Sequence, residues 1–161
     1  DDQVGIGLRS HYVASWHAAP LLFAAVEQGP TGVTAPAIVN VSSPGGQSYH
    51  FSSSYGAGKA GLDRLGADMA VELAPRSVAC STLYPGIVGT EFIEQSFGVP
   101  ATEIEGAQTP LVVGRTAVAL VTAPDLLERS GRIEWVEDLA DEFDIVDELG
   151  RRPAPYPRRI R

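Results

Sequence analysis

The sequence predicts an α/β fold, a doubly wound parallel sheet covered by helices on both faces. Three observations carry the prediction. Segments with apolar residues at helical spacing alternate with short β-branched runs, in the order helix, strand, helix, strand, helix, strand. The strand-like runs are too short for helices and are bounded by turn residues, which marks them as buried strands. No segment repeats and no linker divides the chain, and 161 residues suit one domain over 1–161.

Each element has its own signal. From Val4 to Val26, residues Val4, Leu8, Tyr12, Trp16, Leu22 and Val26 recur at helical spacing, and Pro20 is expected to bend or split that helix. The Gly/Pro/Thr stretch GPTGVTAP is a loop. AIVNVSS, residues 37–43, is the first strand. Tyr55 to Ala74 is a helix whose stripe is Leu62, Leu65, Met69 and Leu73, and Pro75 ends it. SVACSTLY, residues 77–84, is the second strand, stopped by Pro85-Gly86. Thr109 is placed to cap a third helix, with Pro110 at its first position and an apolar run to about Thr122. GRIEWVED, residues 131–138, is the third strand.

The net charge of −8 and a pI near 4.8 argue against a nucleic-acid or anionic-membrane partner. Positive charge clusters only at the end, in RRPAPYPRRIR, so 150–161 is expected to be a solvated Pro/Arg-rich tail, with an arm docked on a partner subunit as the other reading. Cys80 is the one cysteine and reads as a small buried hydrophobe. No run approaches the ~18 apolar residues of a membrane span, and no signal peptide is visible, so the default location is cytoplasmic. The histidines His11, His17 and His50 have no metal-ligand spacing. Trp16 and Trp135 read as packing residues, and the acidic run Glu134 to Glu148 as a solvated face and turn.

The chemistry concentrates in SSSYGAGKAG, residues 52–61. Positions four apart share a helix face, so Tyr55 and Lys59 project together toward the end of the first strand, where Ser42 and Ser43 sit. A free phenol ionises near ~10 and is a poor acid or base at neutral pH. An ammonium beside it favours the phenolate, and a serine hydroxyl alongside holds a substrate oxygen. Together these groups suit proton transfer to a carbonyl or from an alcohol. Gly56, Ala57 and Gly58 leave the helix face bare for a flat ligand. In parallel sheets of this kind ligands bind at the carboxyl ends of the strands.

NVSS, then YGAGK with Tyr55 twelve residues after Ser43, then YPGIVGTEF, resemble in order and spacing the signature of the short-chain dehydrogenases/reductases. The wording of GLRSHY, SSPGG and YGAGKAG resembles the dehydrogenase/reductase member one branch. The resemblance implies a Rossmann-type sheet and an NAD- or NADP-dependent oxidoreductase interconverting a carbonyl and an alcohol. It implies Tyr55 as general acid/base, Lys59 as the residue that tunes Tyr55 and binds the nicotinamide ribose, and Ser43 as the substrate-orienting serine. The family's usual spacing selects Ser42, which stays an alternative. Pro85, Gly86, Val88 and Thr90 match the segment that touches the nicotinamide, and the segment from Glu91 to Gln108 is expected to cover the substrate. A homodimer or homotetramer is implied, built on the two long helices.

Two departures stand out. Gly7 occupies the position where many members carry a catalytic Asn. The family's N-terminal dinucleotide-binding half has no counterpart, so the expectation is a partial Rossmann domain that alone neither turns over substrate nor binds a dinucleotide tightly. The competing readings are an inactive fragment or dimerisation module, and an epimerase or dehydratase on the same fold.

Overall fold

The computed structural model describes residues 2–29 and 32–158. Pro30 and Thr31 of the predicted loop, and Arg159 to Arg161 of the tail, lie outside the described residues. Three strands, β1 (Ala37–Val41), β2 (Ala79–Tyr84) and β3 (Ile133–Trp135), form one parallel sheet in the order β1-β2-β3. Ala37 pairs with Ala79 and Val41 with Leu83, while Tyr84 pairs with Trp135.

Period-two alternation divides the strand side chains between two cores. On one face Ala79 and Leu83 join Ala37 and Val39. They pack on α5 (Pro110–Thr122), α6 (Leu126–Arg129) and α7 (Val136–Glu142), through Val112, Leu120, Leu126, Val136 and Leu139. On the other face Cys80 and Ile38 meet α2 (Ser10–Gln28) and α3 (Ser53–Leu73), through Phe23, Leu65, Met69 and Leu73. Cys80 is fully buried there, and burial pushes its thiol up to about 11. The sheet is thus sandwiched as the alternating sequence predicts.

The helix ends follow local chemistry. Ser52 caps α3 by accepting from the Tyr55 amide. Thr109 caps α5 by accepting from Val112, with Pro110 at the first position as predicted. Pro75 falls in the 3₁₀ turn Ala74–Arg76 that ends α3.

Several expectations need correction. Pro20 does not split its helix, since α2 runs unbroken from Ser10 to Gln28. Leu22, Phe23 and Val26 beyond the proline pack against the core, which holds the second half in place despite one missing bond. The break comes earlier: α1 (Asp2–Val4) passes into a π-helical turn, Gly5–Arg9, where Gly7 faces open space. Trp16 is not a packing residue within this chain but two-thirds exposed.

The acidic run is a solvated face only in part: Asp138, Asp141, Glu142, Asp144 and Glu148 are exposed. It contains the end of β3 and α7, and Glu137 and Asp147 are buried. Buried Arg129 accounts for part of this, gathering Asp125, Glu134 and Glu142 around one guanidinium. The tail is not free either. Arg151 pairs with Asp147 at 2.8 Å, and Tyr156 reaches the ends of the strands.

Candidate active site

The carboxyl ends of β1 and β2 carry the chemical residues. After β1 the chain turns through Ser43 into a 3₁₀ turn, Pro44–Gly46. The Gly45 amide donates to the Ser43 hydroxyl at 3.1 Å and aims it. Gly45 itself is required by closeness, because a Cβ there would stand 2.5 Å from the Tyr55 ring.

Ser43 Oγ and the Tyr55 hydroxyl share a hydrogen bond of 2.8 Å. Ser42 points elsewhere: it is buried and donates to the Lys59 carbonyl at 3.4 Å. Of the two candidate serines, Ser43 meets the tyrosine. Phe51 sets its ring edge-on to Tyr55 at 5.2 Å.

Lys59 lies one turn further along α3, as the four-residue spacing requires. Its Nζ donates to the Val41 carbonyl at 3.3 Å and stands 5.8 Å from the centre of the Tyr55 ring. Burial lowers the Lys59 ammonium below the usual lysine range, and the Asp63 charge opposes that shift.

Asp63 is the next residue on the same face, and sequence reasoning missed it. Tyr84 at the end of β2 donates its hydroxyl to Asp63 Oδ2, while Asp63 Oδ1 is buried without a partner. Burial raises the Asp63 carboxyl, against the Tyr84 bond, a Ser42 bond and the Lys59 charge. Tyr84 is pushed far above its usual range by burial first, then by Asp63. The signal was a third step in the ladder Tyr55, Lys59, Asp63.

The Pro85–Thr90 segment follows Tyr84 directly. Pro85 is buried. Val88 forms an isolated parallel bridge with Gln108, whose amide donates to the Ile87 carbonyl at 2.7 Å. Thr90 caps α4 (Glu91–Phe97), accepting from Ile93 at 3.4 Å. Gln108 Oε1 is buried without a partner, and its amide nitrogen would meet a Cβ at Gly86 at 3.2 Å. A cleft of about 270 Å³ opens between Ala101–Thr109 and Asp147–Ala154, lined by neither Tyr55 nor Ser43.

Tyr156 returns to this end of the sheet. Its hydroxyl shares a 2.7 Å hydrogen bond with His50 Nε2, and its amide donates to Glu137 at 3.2 Å. No local signal joins His50 to a residue 106 positions away.

The family described as short chain dehydrogenase matches residues 3–98, more than half of the chain. Dehydrogenase/reductase SDR family member 1 from mouse is 36% identical over 167 residues, covering 97% of this chain and 51% of that protein. The human protein of the same description gives the same figures. The chain belongs to the short-chain dehydrogenase family, and it spans about half the length of the curated relatives it matches. Among solved structures, ElxO with NADP bound superposes with a TM-score of 0.62 at 21% identity, over 81% of this chain and 53% of that one. A 3-oxoacyl-[acyl-carrier protein] reductase with bound NAD from Brucella melitensis gives 0.64 at 20% identity, over 83% and 48%. These likenesses show the Rossmann-type fold.

Proposed function

We propose that this chain carries the proton-transfer centre of an oxidoreductase that uses NAD or NADP to interconvert a carbonyl and an alcohol. The observation that carries the reading is the 2.8 Å bond between Tyr55 and Ser43 with the Lys59 ammonium on the same helix face. Family membership and the NADP- and NAD-bound structures of the same fold support it.

The residues present fit the nicotinamide end of such a cofactor. Lys59 spends one donor on Val41 and keeps others for a ribose hydroxyl. The turn formed by Pro85, Gly86, Val88 and Thr90 follows β2 directly and would meet the nicotinamide, with no Cβ at Gly86 to hold it off. A bound nicotinamide supplies a hydride to the carbonyl carbon, or accepts one from the alcohol.

The chain's own residues handle the oxygen. In reduction the Ser43 hydroxyl donates to the carbonyl oxygen and fixes its position. The Tyr55 hydroxyl gives that oxygen its proton, and the Lys59 cation stabilises the phenolate left behind. Solvent reprotonates Tyr55, and oxidation runs the same path backward.

The test follows the hydride. The protein expressed from its own gene is incubated with aldehydes and ketones and with NADH or NADPH deuterated at the transferable position. The expected result is deuterium on the carbinol carbon of the product. No label transfer to any carbonyl, with either cofactor, would overturn the reading.

Assembly is part of the proposal. Trp16, Leu21 and Val71 on the two long helices are each at least two-thirds exposed. Such a surface suits a two-fold contact giving a homodimer or homotetramer. Light scattering should give at least twice the protomer mass at micromolar concentration, and a monomer would refute it.

A further inference from the structure

Tyr156 of the C-terminal segment reaches residues at or just beyond the end of each of the three strands. After β1 it bonds His50, five residues before Tyr55. After β2 its ring lies where a Cβ on Gly86 would come within 3.4 Å. After β3 its amide donates to buried Glu137 at 3.2 Å, and its ring stacks on Trp135 with centroids 5.9 Å apart. Arg158 covers the Trp135 ring at 4.5 Å. Burial raises the Tyr156 hydroxyl, and the nearby Tyr55 adds to that shift.

A solvated tail makes no such contacts. Ordering a segment costs conformational entropy, and here stacking, a buried carboxylate and a histidine bond offset it. Glu137 receives the Tyr156 amide at 3.2 Å and the Gln108 side-chain amide at 3.5 Å, and pairs with Arg158 at 3.7 Å. The Tyr156 ring thus lies against the Pro85-Gly86 turn after β2.

From this placement we infer that Tyr156, anchored by His50, is a specificity-determining residue: its ring walls the substrate pocket beside Tyr55 and Ser43 and limits the size of carbonyl that enters. The inference rests on the carbonyl–alcohol reading above. It adds that residues 153–158, through this one ring, belong to the substrate site.

The test measures kcat/KM for the protein expressed from its own gene, with NADPH or NADH, on propanal, cyclohexanecarbaldehyde and longer aldehydes. Tyr156→Ala, Tyr156→Phe and His50→Ala are compared with the wild type, and circular dichroism checks each fold. Pocket walls discriminate by about tenfold or more per group displaced. Tyr156→Ala should therefore raise kcat/KM for the bulky aldehydes relative to propanal by about tenfold. Tyr156→Phe keeps the ring and loses the His50 bond, so its ratio should move less, and His50→Ala should match it.

A bulky-to-small ratio unchanged in Tyr156→Ala, with the fold intact, overturns the wall. If Tyr156→Ala fails to fold, an unchanged ratio in both Tyr156→Phe and His50→Ala does so. Tyr55→Phe in the same assay separates the two claims. Activity lost with Tyr55 but size selectivity indifferent to Tyr156 leaves the chemistry standing and removes the wall. A wild type inactive on every aldehyde removes the reading on which the wall depends.

Discussion

Tyr55 and Tyr84 stand at the same end of the sheet, on either side of Lys59, and their surroundings differ in every respect that governs a phenol. Tyr55 is partly exposed, bonded to a neutral serine hydroxyl, with an ammonium over its ring. Tyr84 is fully buried and donates to a carboxylate. Burial disfavours any phenolate, a neighbouring anion disfavours it further, and a cation favours it. On the proposed reading, the same side chain is a proton donor for chemistry in one place and a structural clamp in the other. What separates them is only which element each one leaves from: Tyr55 from the first turn of a helix at the cleft, Tyr84 from the last position of the central strand.

A large effect that would sharpen this contrast is on Lys59. General acid/base catalysis is worth ~10²–10⁴-fold, and removing the cation should forfeit about the lower end of that range. Lys59→Ala should cut kcat about 100-fold and move the optimum for alcohol oxidation to higher pH, because the phenolate loses its cationic neighbour. An unchanged pH profile would separate Lys59 from Tyr55.

A smaller effect falls on stability through the other tyrosine. Tyr84→Phe leaves Asp63 with both carboxylate oxygens unpaired by a phenol, at a cost of about 1–3 kcal/mol near neutral pH. Burial already raises the Asp63 carboxyl, so the folded state favours its protonated form. A carboxyl raised on folding contributes stability below its unfolded value and loses it as pH rises through its folded value. The deficit of Tyr84→Phe should therefore shrink as pH falls toward and below the Asp63 value. Urea midpoints across the acid range check this, and a deficit that grows in acid would contradict it.

How much of this was legible in the sequence depends on chain distance. The parallel sheet was readable because each strand is a short apolar run, and the Tyr55–Lys59 face because helix geometry fixes what lies four residues apart. Ser43 was reachable because one turn separates it from α3, though spacing alone left Ser42 open. The choice needed the 3₁₀ turn at Pro44–Gly46, which turns Ser43 toward the tyrosine. The Tyr84–Asp63 clamp joins a strand end to a helix turn, and it depends on packing that no periodicity states. The Tyr156–His50 bond spans most of the chain, and the Pro/Arg-rich composition around it argued for solvent. Within the acidic run, charge marked the exposed carboxylates but not Glu134, Glu137 and Asp147, which find partners in Arg129, a backbone amide and Arg151.

The contrast is tested most directly by measuring kcat for Tyr55→Phe and Tyr84→Phe side by side, on the protein expressed from its own gene, with one carbonyl substrate and one cofactor at saturation. Both substitutions delete a hydroxyl and keep a ring. Tyr55→Phe should lower kcat by about 10²–10⁴-fold while Tyr84→Phe stays within a few-fold of the wild type. Equal losses in the two variants, or near-normal turnover by Tyr55→Phe, would contradict the contrast.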